Sequence, residues 1–127
     1  MHPLTHLALL ALAGAVGTLL RAGCTTLATR LIGVGFPWGT LAVNVAGSLA
    51  FGLLVGWNRN RGNMALGLET ILLIGLMGGF TTFSSYAFQS MEMLTGGRAI
   101  LAVAYVVATN VAALLAVWMG LRITGGV

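Results

Sequence analysis

The sequence predicts an all-α integral membrane protein: one membrane domain over residues 1–127, with four transmembrane helices and a break in the third. Three observations carry that prediction. The chain is 58% hydrophobic over its 127 residues, well above the roughly 45–50% of an average soluble domain, and its mean hydropathy is +1.00. Its eight formally charged residues (Arg21, Arg30, Arg59, Arg61, Glu69, Glu92, Arg98 and Arg122) leave uncharged windows at 1–20, 31–58, 70–91 and 99–121. The third window holds a cluster of glycines and hydroxyl side chains at mid-span. A helix rises about 1.5 Å per residue, so about 20 apolar residues cross a hydrocarbon core of about 30 Å. All four windows are long enough.

The first helix is expected over about 3–29. It runs from Pro3 to Arg21 and continues through Cys24, Thr25, Thr26 and Thr29, which are uncharged but less apolar. The window lacks the positive start of a secretory signal, and cleavage would leave three spans. His2 and His6 have a metal-compatible spacing but sit at a terminus without further ligands. Cys24 is the single cysteine, which excludes an internal disulfide. Gly33, Gly35 and Pro37 mark a turn, and a second helix follows over about 38–57, with proline at its entrance. Trp38 and Trp57 lie 19 residues apart, about 28 Å along a helix, which sets one indole near each membrane interface.

The polar segment from Asn58 to Asn63 reads as a loop. The third helix is expected over about 64–94, with Glu69 near the positive end of its dipole. After the Thr95-Gly96-Gly97-Arg98 turn, the fourth covers about 99–121. Gly52 with Gly56, and Gly75 with Gly79, match the small-xxx-small spacing that lets helices meet closely in lipid.

A net charge of +4 would suggest nucleic acid in a soluble protein. Here six arginines scattered among loops read as topological anchors, and a nucleic-acid partner is not expected. Alternating spans put Arg59, Arg61 and Arg122 on the side of the N-terminus and Arg21, Arg30 and Arg98 on the other, three against three. Orientation follows the Lys/Arg bias of short loops. A chain without bias inserts both ways, so the expected assembly is an antiparallel, dual-topology homodimer in membrane lipid, the oligomeric counterpart of an inverted repeat.

The chemistry lies in Gly75-Leu-Met-Gly-Gly-Phe-Thr-Thr-Phe-Ser-Ser-Tyr86. Gly78 and Gly79 weaken a helix by about 1 kcal/mol each, and the hydroxyls of Thr81, Thr82, Ser84 and Ser85 can replace lost backbone bonds. A helix break at the glycines is the economical reading. Carbonyls freed there suit a small hard cation, and close packing of small residues is the alternative. Phe80, Phe83 and Tyr86 recur every three residues. An aromatic ring has a positive edge, so rings beside a pathway can attract a desolvated anion weakly enough to release it. Asn44 in helix two, with Tyr105, Thr109 and Asn110 in helix four, adds polar groups. The Asn44 amide serves equally as an anion donor or an interhelical hydrogen-bond partner. Arg21, at the end of the apolar run of helix one, draws anions to a vestibule or snorkels to the interface.

The chain resembles the CrcB or Fluc fluoride channels over nearly its whole length. The resemblance rests on Gly17-Thr-Leu-Leu-Arg21, on Pro37-Trp-Gly-Thr-Leu-Ala-Val-Asn44 with Gly47, and on Gly78-Gly-Phe-Thr-Thr-Phe-Ser84. It implies an antiparallel homodimer with two pores in the inner cell membrane, exporting fluoride passively, and a structural sodium ion (Na+) at the dimer centre. It further implies that the backbone carbonyls of Gly78 and Thr81 from both subunits hold the sodium. Asn44, Phe83, Tyr86, Ser84, Tyr105, Thr109 and Arg21 would line the ion pathway. The sequence departs from the family at Tyr86, usually phenylalanine, at Gln89, where many members are acidic, and at Ala113, often serine.

A small multidrug exporter has the same helix count, but its proton coupling needs a membrane-embedded carboxylate. Helix one has none, and Glu69 and Glu92 lie at the ends of helix three. A non-transporting subunit would explain the small residues but not the hydroxyls and rings at mid-span. An enzyme is not expected, since the chain has no Asp or Lys and no nucleophile with an evident basic partner in the membrane.

Overall fold

The computed structural model describes residues 2–62 and 64–127. Helix α1 spans Pro3–Ile32. Proline sits in its first turn, where a missing N–H costs nothing, and the His2 ring nitrogen accepts the Leu4 N–H at 3.3 Å. The helix is three residues longer than expected because its stop is Gly33, at φ +99°, whose N–H closes on the Thr29 carbonyl. Arg21 lies inside α1, as it does in the expected span. The three-against-three arginine balance loses one member, leaving Arg30 and Arg98 against Arg59, Arg61 and Arg122.

Helix α2 spans Trp38–Arg61. It starts at the expected tryptophan but takes in Asn58, Arg59, Asn60 and Arg61, which the sequence suggested as loop. Its stop is Gly62, in the left-handed conformation at φ +64°, with its N–H on the Asn58 carbonyl at 2.7 Å. Two arginines in the last turn complement the negative end of the dipole. Asn63, assigned to the same loop, lies outside the described residues.

The third span is composite. It consists of α3 (Leu66–Thr70), a π-helical stretch (Ile71–Met77), α4 (Gly78–Phe80), two extended residues and α5 (Phe83–Thr95). The break is present, but not where the glycines suggested it. Gly78 is helical at φ −63°, ψ −35°, whereas Thr81 (φ −85°, ψ 162°) and Thr82 (φ −151°, ψ 115°) are extended. Helix α6 spans Ala99–Ile123. The described residues contain no strand, and four helices, counting Leu66–Thr95 as one, are long and apolar enough to cross a membrane.

Lipid offers no hydrophobic drive for helix association, so close van der Waals packing must supply it. The glycines provide this. A Cβ on Gly79 would strike the backbone of Gly14, and one on Gly17 would come within 2.9 Å of the Phe80 nitrogen. These contacts seat α1 against the middle of the third span and hold Gly79 helical. On the other side of the molecule, a Cβ on Gly120 would fall 2.6 Å from the Leu53 nitrogen, and one on Gly52 would strike Val117. Helices α2 and α6 thus lie backbone to backbone. Tyr105 and Val43 are the largest fully buried side chains.

Candidate functional site

The break cannot be satisfied by lipid, and its hydrogen bonds follow residue by residue. In a continuous helix the Thr82 N–H would bond the Gly78 carbonyl and the Phe83 N–H the Gly79 carbonyl. Instead the Thr82 N–H donates to Asn44 Oδ1 at 2.8 Å, and Asn44 Nδ2 donates to the Thr82 carbonyl at 3.0 Å. Arg21 Nε donates to the Gly79 carbonyl at 3.0 Å. Upstream, Thr81 folds back, its N–H and its hydroxyl both reaching the Met77 carbonyl at 3.0 Å. Downstream, the Thr82 hydroxyl accepts the Ser85 N–H at 3.2 Å and so caps α5. Among the described residues, no donor reaches the carbonyls of Gly78, Phe80 or Thr81.

Arg21 is tied to the break through its Nε. It stands close to the midpoint of α1 and bonds a carbonyl near the midpoint of the Leu66–Thr95 span. An ionisable side chain within a membrane-crossing helix marks a functional region.

Beside the break lies a cavity of about 440 Å³, lined by Asn44, Thr82, Phe83, Tyr86, Thr109 and Asn110 among others. Its polar groups are amides and hydroxyls, with no charged side chain in the lining. The structure brings Asn44, Phe83, Tyr86 and Thr109 together there, and Gly78 and Thr81 join them. Asn44 spends one amide hydrogen on Thr82 and keeps the other. Thr109 Oγ1 is fully buried, without a hydrogen-bond partner among the described residues, which points to a ligand or an interior water.

The rings stand in series. Phe83 and Tyr86 have centroids 5.6 Å apart at 53°, and Tyr86 and Tyr105 are 5.4 Å apart at 56°. Phe36 meets Tyr105 edge-on at 5.3 Å and 84°. Phe83 is 78% exposed, so one chain leaves the cavity open at that ring. Three of the expected residues lie apart from the cavity wall: Arg21, which bonds the Gly79 carbonyl, Ser84 and Tyr105. Ser84 is exposed, its hydroxyl only 3.5 Å from that of Thr82. Tyr105 is buried behind Tyr86, donating to Gln89 Oε1 at 3.0 Å.

Sequence reasoning passed over Thr82 as a site residue, although a threonine followed three residues later by serine is a readable helix start. Gln89 was noted only as a departure, and its pairing with Tyr105 joins α5 to α6 in a way local sequence does not reveal.

Residues 8–121 match the family described as CrcB-like protein, Camphor Resistance (CrcB). The chain belongs to the CrcB-like family. Among its relatives, a protein named fluoride-specific ion channel FluC from Chelativorans sp. (strain BNC1) is 42% identical over 91% of this chain and 93% of its own length. A FluC from Paracoccus denitrificans is 45% identical over 91% of both chains. One from Novosphingobium aromaticivorans is 38% identical over 98% of this chain and 99% of its own. The CrcB-like chain described here is a multi-pass membrane protein, and its family consists of ion channels rather than enzymes.

Proposed function

We propose that the chain is a fluoride-selective channel that lets fluoride leave the cell passively through the cavity beside the break. The observation that carries this reading is the make-up of the cavity. It combines an unpartnered buried hydroxyl at Thr109 and a spare Asn44 amide hydrogen with aromatic rings. Such donors bind a small, partly dehydrated anion without a fixed charge that would trap it. The name shared by its relatives supports the choice of fluoride. The test is ion efflux from liposomes containing the purified protein: fluoride leaves rapidly and chloride is retained. Equal permeation of the two, or none, refutes the reading.

The working unit in this proposal is an antiparallel homodimer. Gly78, Ser84 and Asn110 are exposed near the middle of their spans, where lipid cannot satisfy polar groups. The open side of the cavity at Phe83 also needs a wall. A second, inverted copy provides both, and the small arginine imbalance between the two ends permits insertion in either orientation.

A structural sodium ion fits the same arrangement. The carbonyls of Gly78 and Thr81 have no donor within the described residues, and hard cations take oxygen ligands. Contributed by both copies, these carbonyls would hold the ion, whose charge would join the two broken helices.

A further inference from the structure

Tyr86 and Asn110 form a pair whose hydrogen-bond direction can be read from chemistry alone. Asn110 Nδ2 lies 2.7 Å from the Val106 carbonyl and 2.8 Å from the Tyr86 hydroxyl oxygen. A carbonyl only accepts, so the amide atom facing Val106 must be the NH2 group, and the usual ambiguity between amide oxygen and nitrogen does not arise. An NH2 group only donates, so Tyr86 is the acceptor in the second bond. Both hydrogens of the Asn110 amide are then spent. The Tyr86 hydroxyl has received a bond on one side and carries its own proton on another, and that proton has no acceptor among the described residues. Tyr86 is buried and lines the cavity together with Asn110 and Thr109. The unpartnered Thr109 hydroxyl stands in the same wall.

We infer that the Tyr86 hydroxyl is a hydrogen-bond donor to the permeating anion, and that Asn110 is the positioning residue that turns its proton into the cavity. The inference rests on the fluoride-channel reading above. It gives this chain a donor where a phenylalanine would offer a ring edge only. Asn110 acts through Tyr86 and not on the ion, because its own two amide hydrogens are committed. Without Asn110 the hydroxyl is free to rotate and donate to a protein carbonyl, and the cavity loses the proton even though the ring stays.

The experiment is a double-mutant cycle on fluoride efflux from liposomes, with dimer content checked by size-exclusion chromatography. Tyr86→Phe keeps the ring and lowers fluoride flux roughly tenfold, the effect of one hydrogen bond to a charged group. Asn110→Leu lowers it by a similar factor in the wild type and has no further effect in Tyr86→Phe, because the two residues act as one unit. Asn110→Gln keeps an amide donor and recovers most of the flux. A purely structural role for Asn110 would show the same loss in both backgrounds and no recovery with glutamine. That result overturns the inference, as does wild-type flux in Tyr86→Phe. The fluoride-channel reading fails separately, if the unmodified protein passes no fluoride.

Discussion

Asn44 and Thr82 hold each other by both ends, the Thr82 N–H on the amide oxygen at 2.8 Å and the amide nitrogen on the Thr82 carbonyl at 3.0 Å. A side chain of α2 thereby replaces the backbone partners that the third span gives up at its break. It also releases the Gly78 carbonyl, which Thr82 would have bonded in a continuous helix. Asn44→Leu leaves both Thr82 groups unpaired in the membrane, at about 1–3 kcal/mol each. Thermal unfolding in detergent should begin at a clearly lower temperature, with fluoride flux abolished. Asn44→Asp still accepts from the Thr82 N–H but cannot donate to the carbonyl or the anion, so flux should fall further than stability. Wild-type flux in both variants would remove Asn44 from the pathway.

Phe83 is 78% exposed and packs within its own chain chiefly against Tyr86. Little folding energy depends on it, so a change of side chain separates conduction from stability. Phe83→Ile retains an apolar group but loses the ring quadrupole. Fluoride efflux should drop by at least tenfold while the dimer elutes unchanged. Flux equal to wild type would show that the ring only packs.

The sequence and the structure agree where local chemistry decides. Proline before Trp38 starts α2, and the glycine spacings at 52/56 and 75/79 do bring backbones together. Disagreement arises where a distant residue decides. The Gly78-Gly79 pair looks like the breaker, but Gly79 is pressed against Gly14 and stays helical. The break falls at Thr81 and Thr82, stabilised by Asn44 from 38 residues away, a partnership absent from any local window. Arg21 closes the apolar run of helix one, and nothing in that local window shows its partner. The carbonyl it satisfies belongs to another helix, and α1 continues for about three more turns, to Ile32.

With Arg21 inside α1, Arg59, Arg61 and Arg122 at one end of the bundle oppose Arg30 and Arg98 at the other. So small an imbalance predicts insertion in both orientations. Tags in the loops, probed with an impermeant reagent on intact cells, should be found on both sides of the membrane. Two lysines added after Gly126 should bias the chain to one orientation and reduce fluoride export. Co-expression with an oppositely biased copy should restore it. Full export from a uniformly oriented population would exclude the antiparallel dimer.

Gly78 and Gly79 are adjacent yet have opposite surroundings, and this makes them a test of the central ion. A Cβ on Gly79 meets the Gly14 backbone, with the Gly14 carbonyl carbon and Cα both 3.2 Å away. Backbone cannot yield as a flexible side chain does, so Gly79→Ala should lower the stability of the chain itself by about 1–3 kcal/mol. A Cβ on Gly78 finds only the Leu73 carbonyl, at 3.9 Å. Nothing within one chain opposes a larger residue there. If Gly78 stands at the crossing of two copies and its carbonyl helps to hold sodium, Gly78→Leu should leave helix content intact while dimer and flux are lost. Replacing sodium by N-methylglucamine during purification should weaken the wild-type dimer in the same way. A conducting Gly78→Leu dimer, together with wild-type flux in sodium-free buffer, would mean that the free carbonyls of the break serve some other partner.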